Sequence, residues 1–76
     1  MKEELIKIMA KNLNLNESDI NEGTLREDIS EWDSMNHLIL MTKIEKHFNV
    51  KFTTHEINSI KSVNDVIMLI ENKRHE

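Results

Sequence analysis

The chain has 76 residues and a net charge of −4, with 38% hydrophobic residues, no cysteine, no proline and one glycine. This length allows one domain with a modest core, and we expect a single domain over residues 1–76. The lack of cysteine excludes disulfides and a cysteine-based zinc site, and the scarcity of glycine and proline disfavours a turn-rich β fold. We therefore expect an all-α protein.

The acidic residues are concentrated in one segment. Residues 17–33 hold seven acids and one base, a net charge of −6 against −4 for the whole chain. No basic stripe with interleaved aromatic residues is present, which argues against nucleic-acid binding. The acidic segment either aids solubility or helps partners to recognise the site that follows it, and charge alone leaves both interpretations open.

The apolar runs are short. The longest, Leu38–Met41, cannot cross a bilayer, and the N-terminal residues Met1–Glu4 lack the apolar core of a secretion signal. We expect no membrane span and a cytoplasmic location.

Hydrophobic periodicity predicts four helices, the third of them short. The first should run from Lys2 to about Asn12, and the second from Ser34 to near Phe48 with Asp33 as its N-cap. The predicted apolar stripes are Ile6, Met9, Ala10 and Leu13 in the first helix, Leu40, Met41, Ile44 and Phe48 in the second, and Val63, Val66, Ile67 and Ile70 in the fourth.

Capping patterns predict where the last two helices begin. Thr53-x-x-Glu56 and Ser62-x-x-Asp65 have the spacing of a capping box. The long connection over residues 14–33 should lie pinned on the core, with Ser18 or Thr24 capping a short helical turn. Its apolar anchors are Leu15, Ile20, Leu25, Ile29 and Trp32, the last fixing the start of the second helix.

Ser34 lies where the acidic loop ends and the second helix begins. The N-terminus of a helix offers unpaired backbone N–H groups and a positive dipole end, both of which favour an anion. A serine hydroxyl at this point can carry a phosphate-linked group. Because aspartate followed by serine is also a common capping pair, the dipeptide alone does not establish that role.

The order of helices and loops around Asp33-Ser34 resembles the acyl carrier protein family, which includes peptidyl and aminoacyl carrier proteins. The resemblance covers essentially the whole chain and implies a four-helix bundle of acyl-carrier type. The matching residues are Trp32, Asp33, Ser34, Met35, Leu38, Leu40, Met41, Ile44, Glu45 and Phe48, followed by the link at 49–52 and the stripe of the fourth helix.

In this family the serine carries 4′-phosphopantetheine, obtained from coenzyme A. The resemblance implies that Ser34 is the attachment site, that Asp33 is the helix cap beside it, and that the chain is a carrier and not an enzyme. The thiol of the arm would hold an acyl or aminoacyl group as a thioester. The implied partners are a phosphopantetheinyl transferase, an acyl or aminoacyl ligase or transferase, and an acceptor enzyme; we expect a monomer.

Two departures from the family pattern indicate a dedicated pathway for a lipid or specialised metabolite. Many carriers of fatty-acid synthesis have glycine and a small residue before the aspartate, where this chain has Glu31 and Trp32. Their following helix is typically rich in acids, whereas here Glu45 is the one acid between Ser34 and Phe48.

Met35 and Ile39 lie on the face of the second helix opposite its core stripe. We expect them to form an apolar docking spot for partners, with the acids of residues 17–33 steering the approach. Packing of Ile39 against the long loop is the alternative.

Two other function classes are alternatives. An unmodified helical interaction module would use the same apolar spot without a prosthetic group. A small enzyme using Ser34 and His37 would need an oxyanion hole and a substrate pocket, for which so small a bundle offers no clear candidates, so we expect His37 to be partly buried or solvated. The histidines His37, His47, His55 and His75 lack metal-ligand spacing, and no metal site is expected.

Overall fold

The computed structural model describes residues 1–74, which form four α-helices and two short 3₁₀ turns. The helices are α1 (Lys2–Leu13), α2 (Ser34–Phe48), α3 (Thr54–Ser59) and α4 (Val63–Arg74). The 3₁₀ turns, Glu17–Asp19 and Arg26–Asp28, lie in the connection between α1 and α2. The predicted all-α fold, with a long first loop and a short third helix, is confirmed.

The core lies between α1, α2 and α4, whose apolar stripes face one another. In α1 the stripe is centred on Leu5, whereas Ile6 is only partly buried at its edge. The prediction of Ile6 as a core residue was therefore wrong, because residues spaced by four from Leu5 set the buried side of the helix. The buried stripes are Leu5, Met9, Ala10 and Leu13 in α1, Leu40, Met41, Ile44 and Phe48 in α2, and Val63, Val66, Ile67 and Ile70 in α4.

Helices α1 and α2 each end at an asparagine in the left-handed conformation. Asn14 has φ 57° and Asn49 has φ 55°. Asparagine tolerates this region better than most residues, so the chain ends α1 and α2 without glycine. Beyond α2, the Glu45 carboxylate accepts the Phe52 amide at 2.8 Å and fixes the extended link that precedes α3.

The connection between α1 and α2 is pinned to the start of α4 by backbone hydrogen bonds. The Arg26 amide donates to the Lys61 carbonyl at 2.8 Å, and the Val63 amide donates to the Thr24 carbonyl at 3.0 Å. Of the predicted apolar anchors, Ile20 and Trp32 are buried, Leu15 and Ile29 are partly buried, and Leu25 is exposed. The prediction fails at Leu25 because backbone pairing, and not side-chain burial, holds the chain at that point.

The 3₁₀ turns of the loop have no side-chain cap, so the prediction that Ser18 or Thr24 would cap one was wrong. Ser18 lies inside the first turn. The Thr24 hydroxyl instead accepts the Asn21 amide at 2.9 Å and closes a turn around Gly23, whose amide donates to the Asn21 side chain at 2.8 Å.

The capping box predicted for α3 is present in both directions. The Thr53 hydroxyl accepts the Glu56 amide at 3.1 Å, and the Glu56 carboxylate accepts the Thr53 amide at 2.8 Å. At α4 the Ser62 hydroxyl accepts the Asp65 amide, but the Asp65 carboxylate accepts the amide of Lys61. In a full capping box the Asp65 carboxylate would accept the amide of Ser62 itself, so here it binds the amide one residue earlier in the chain.

Candidate functional site

Ser34 is the first residue of α2 and is exposed. Asp33 is the N-cap, as predicted, and its carboxylate accepts the Asn36 amide at 2.9 Å. The Asn36 side chain reaches back and donates to the Glu31 carbonyl at 2.8 Å. These two hydrogen bonds tie the end of the loop to the first turn of α2, so Ser34 lies on a fixed corner of the molecule.

The electrostatics at this corner suit an anion. The first internal hydrogen bond of α2 runs from the His37 amide to the Asp33 carbonyl at 2.8 Å, so the amides of Ser34 and Met35 have no acceptor within the helix. The Asp33 carboxylate is turned to the Asn36 amide, and the first turn of α2 contains no acidic residue. A phosphate on the serine hydroxyl therefore fits the residues that are present.

A buried hydrogen-bond chain supports the corner from inside. Trp32 and His37 flank Asp33 and Ser34 in sequence, and each is 2% exposed. The Trp32 indole N–H donates to His37 Nδ1 at 2.8 Å, and His37 Nε2 donates to the Ile57 carbonyl of α3 at 2.8 Å. The proton is on Nε2 because the indole nitrogen can only donate, so Nδ1 must accept. The predicted anchoring role of Trp32 in the core is confirmed.

His37 is not placed to act as a general base for Ser34. Both ring nitrogens are occupied, by Trp32 and by Ile57. Burial lowers the pKa of His37; the Ile57 carbonyl opposes this and the Arg26 charge adds to it. The prediction of a partly buried or solvated ring was wrong, because two internal partners satisfy the ring and allow full burial.

Met35, Leu38 and Ile39 form an exposed apolar patch on α2 next to Ser34, with exposed fractions of 69%, 56% and 46%. The exposure of Met35 and Ile39 agrees with the helical wheel. Leu38 was missed because it opens the run Leu38–Met41, which suggests core. Its spacing of three residues from Met35 was the signal that could have placed it in the patch.

Beyond the apolar patch, the outer face of α2 is basic. Lys43 and Lys46 are exposed. Glu45, the acid of this helix, is half-buried and bound to the Phe52 amide. The seven acids of residues 17–33 are all exposed, and one of them, Glu22, pairs with Lys2 at 2.7 Å. Negative charge therefore precedes Ser34 in the chain, and positive charge follows it.

A surface groove of about 700 Å³ lies beside Trp32, between the loop and the segment that joins α3 to α4. Ile29, Trp32 and Ile60 supply its apolar lining, and Arg26 and Lys61 supply basic groups. Ser34 does not line this groove. The groove is therefore not part of the site around the exposed serine.

Within residues 1–74, no group of three or more His, Cys, Asp and Glu side chains is arranged to hold a metal ion. His75, one of the histidines weighed as a ligand, lies outside the described residues. Among the helices of this same part of the chain, none combines the length and the apolar character that crossing a membrane requires.

The chain is similar to known proteins in both sequence and structure. The model of a family described as "Phosphopantetheine attachment site" matches residues 3–70. The chain is 36% identical over 59 residues to an acyl carrier protein homolog of Mycoplasmopsis pulmonis (strain UAB CTIP), which covers 78% of this chain and 80% of that protein. The solution NMR structure of holo acyl carrier protein from Geobacter metallireducens superposes with a TM-score of 0.84 at 27% identity, covering 96% of this chain and 84% of that one.

The chain belongs to the acyl carrier protein family. The predicted family and the predicted cofactor, 4′-phosphopantetheine, are confirmed. Proteins of this family are carriers and not catalysts themselves, and they interact with phosphopantetheinyl transferases and acyl-handling enzymes.

Proposed function

We propose that Ser34 carries the 4′-phosphopantetheine, and that the chain holds an acyl or aminoacyl group as a thioester for a dedicated biosynthetic pathway. The position of Ser34 carries this proposal: its side chain is exposed on the first residue of α2, and the Asp33 carboxylate is turned away to the Asn36 amide. The bound group supplies the thiol. We further propose that residues 1–76 act as one carrier domain, as a monomer, in the cytoplasm.

Attachment transfers the phosphopantetheinyl group from coenzyme A to the serine hydroxyl. An Oγ–P bond forms at Ser34, the phosphoanhydride of coenzyme A breaks, and adenosine 3′,5′-bisphosphate leaves. The hydroxyl proton passes to a base of the transferase, since both ring nitrogens of His37 are already used. The chain itself presents the hydroxyl, and the amides of Ser34 and Met35 stabilise the resulting phosphodiester.

We propose that partner enzymes dock on α2, with Met35 and Ile39 as contacts and Leu38 between them. The three side chains are exposed together beside Ser34, as expected of a protein-binding surface. The acids before Ser34 and the basic Lys43 and Lys46 after it favour one orientation of a partner, because each end attracts the opposite charge.

The basic character of this face supports the dedicated pathway. The resemblance implies an acid-rich face for many carriers of fatty-acid synthesis, and enzymes that fit such a face are repelled by Lys43 and Lys46. The partners of this chain therefore have an apolar pocket with acidic groups at its edge.

The attachment is tested by intact mass after incubation with coenzyme A and a broad-specificity phosphopantetheinyl transferase. The wild type should gain one phosphopantetheine and Ser34→Ala none. Ser30→Ala is the matched control, because Ser30 is an exposed serine of the same loop, and it should gain the group normally. A gain of one phosphopantetheine by Ser34→Ala would show that the attachment site is another residue. No gain by the folded wild type, with a transferase active on another carrier, would favour an unmodified interaction module.

A further inference from the structure

The His37 ring holds three parts of the molecule together. Its Nδ1 accepts the Trp32 indole N–H at the end of the loop, and its Nε2–H donates to the Ile57 carbonyl in α3. The residue itself belongs to the first turns of α2, three positions after Ser34. Movement of this ring therefore changes the position of the start of α2, with Ser34, relative to the loop and to α3.

The bond to Trp32 requires a neutral ring. Protonation turns Nδ1 into a donor that faces the donor N–H of the indole, so the Trp32 bond breaks while the Ile57 bond can persist. Trp32 is also held through its main chain, since its carbonyl accepts Arg26 Nε at 3.2 Å and its amide donates to the Ile29 carbonyl at 3.0 Å. Displacement of the indole is therefore transmitted to the loop before Ser34.

The surroundings of the ring do not compensate a positive charge. The acids next to Trp32 and Ile57 in the sequence have other partners: the Asp33 carboxylate accepts the Asn36 amide, the Glu31 carboxylate accepts the Ser30 hydroxyl, and the Glu56 carboxylate pairs with Lys73 of α4 at 2.9 Å. The Arg26 charge of the loop lowers the pKa of the ring, because it is itself positive. Charging His37 thus removes a hydrogen bond without supplying an ion pair.

We infer that His37 is a positioning residue. Its neutral ring holds the start of α2, with Ser34, against the loop and α3 in the arrangement that phosphopantetheinylation requires. Protonation of the ring at acid pH breaks the Trp32 hydrogen bond that maintains this arrangement. The inference rests on the proposed attachment at Ser34. His37 acts through Trp32 and the start of α2, without contact with the reacting hydroxyl.

A competition experiment separates this role from a purely structural one. Wild type and His37→Gln compete for a limiting transferase in one tube, at a series of values from about pH 8 to about pH 5, and intact mass gives the product ratio. The pH dependence of the transferase cancels in this ratio. Glutamine keeps a donor for Ile57 and does not titrate, but it has no acceptor at the position of Nδ1, where the indole N–H is bound.

The wild type should be preferred by roughly tenfold at high pH, because small misplacement of a reacting group is costly. The preference should fall towards one below the ordinary histidine pKa of about 6.5. A ratio of one throughout, or a preference that does not change with pH, would overturn the inference. If His37→Gln does not fold, Trp32→Phe takes its place, since it removes the indole N–H and leaves a buried aromatic ring.

A second measurement does not depend on modification. Trp32 is the one tryptophan of the chain, so its fluorescence reports this hydrogen bond directly. The unmodified wild type and Ser34→Ala should both show a fluorescence transition below about pH 6.5, and His37→Gln should not. Absence of the transition from the wild type would overturn the inference even if Ser34 is modified. Presence of the transition without any modification would contradict the proposed attachment, and with it the role in phosphopantetheinylation, while confirming the pH-sensitive hydrogen bond between His37 and Trp32.

Discussion

The 2.8 Å hydrogen bond from Trp32 Nε1 to His37 Nδ1 closes a short stretch of chain around Ser34. Trp32 comes two residues before the serine and His37 three residues after it, and both are buried. On the outer side, the Asn36 side chain donates to the Glu31 carbonyl at 2.8 Å and closes the same stretch a second time. An exposed hydroxyl is thus presented by a backbone that is held from inside and from outside.

The stability of the fold should depend on pH through His37. Its pKa is lowered in the folded state, so the unfolded chain takes up the proton first as pH falls. The stability contribution is fully present above the unfolded value of about 6.5 and declines below it, by at most about 1.4 kcal/mol per pH unit for one proton. Urea unfolding between about pH 7.5 and 5 measures this slope.

The His37→Gln variant is the control for that slope. It should be less stable than the wild type by about 1–3 kcal/mol near neutral pH, because the buried indole N–H loses its acceptor. Its stability should be nearly flat over the same interval. The pKa values of Glu4 and Glu56 are also lowered, by the His47 side chain and the Thr53 amide respectively, but their contributions are lost only below about 4.5. An equal slope in both proteins would contradict the assignment to His37.

Removing the N-cap of α2 should weaken the corner. Asp33→Ala should cost about 1 kcal/mol of unfolding free energy, because the Asn36 amide loses its acceptor. Asp33→Asn retains a side-chain oxygen and should stay within a few tenths of a kcal/mol of the wild type. Chemical denaturation of the three proteins provides the comparison. Equal stability of Asp33→Ala and the wild type would show that this cap contributes little.

The docking role of the apolar patch is tested by Met35→Glu. Because Met35 is exposed, the charge should leave stability within about 0.5 kcal/mol but lower partner-dependent loading of the modified carrier, by roughly tenfold. Met68→Glu on α4 is the matched control, since Met68 is also an exposed methionine, and it should load normally. Unchanged loading of Met35→Glu, or equal loss in both variants, would remove Met35 from the proposed surface.

Reversing the charge beyond the patch should change the choice of partner. The double variant Lys43→Glu/Lys46→Glu should accept acyl groups from fatty-acid-synthesis enzymes faster than the wild type does, because the repulsion is removed. Lys7→Glu/Lys11→Glu makes the same change in net charge on exposed positions of α1 and should have little effect. Loading rates at low and high salt measure the difference, which salt should diminish. If both double variants gain equally, net charge and not the α2 face selects the partner.

The elements that depended on nearby residues were predicted from the sequence. The extent of α2, its cap at Asp33, and the box between Thr53 and Glu56 rest on contacts three or four residues apart, whose geometry a helix sets by itself. The exposure of Met35 followed from the same periodicity. The resemblance that indicated the family and its cofactor rested on the residues around Ser34 and on the order of the helices.

Tertiary packing decided the rest. The partner of His37 Nε2 is the carbonyl of Ile57, 20 residues away, and no local pattern shows which backbone group will meet a buried ring. The backbone hydrogen bond from Arg26 to Lys61 and the salt bridge between Lys73 and Glu56 likewise join separate elements. The sequence alone determined the helices, the position of Ser34 and the chemistry expected there, because those depend on neighbours along the chain. Only the folded arrangement determined that His37 is a buried link and not a base, because that depends on which elements pack around it.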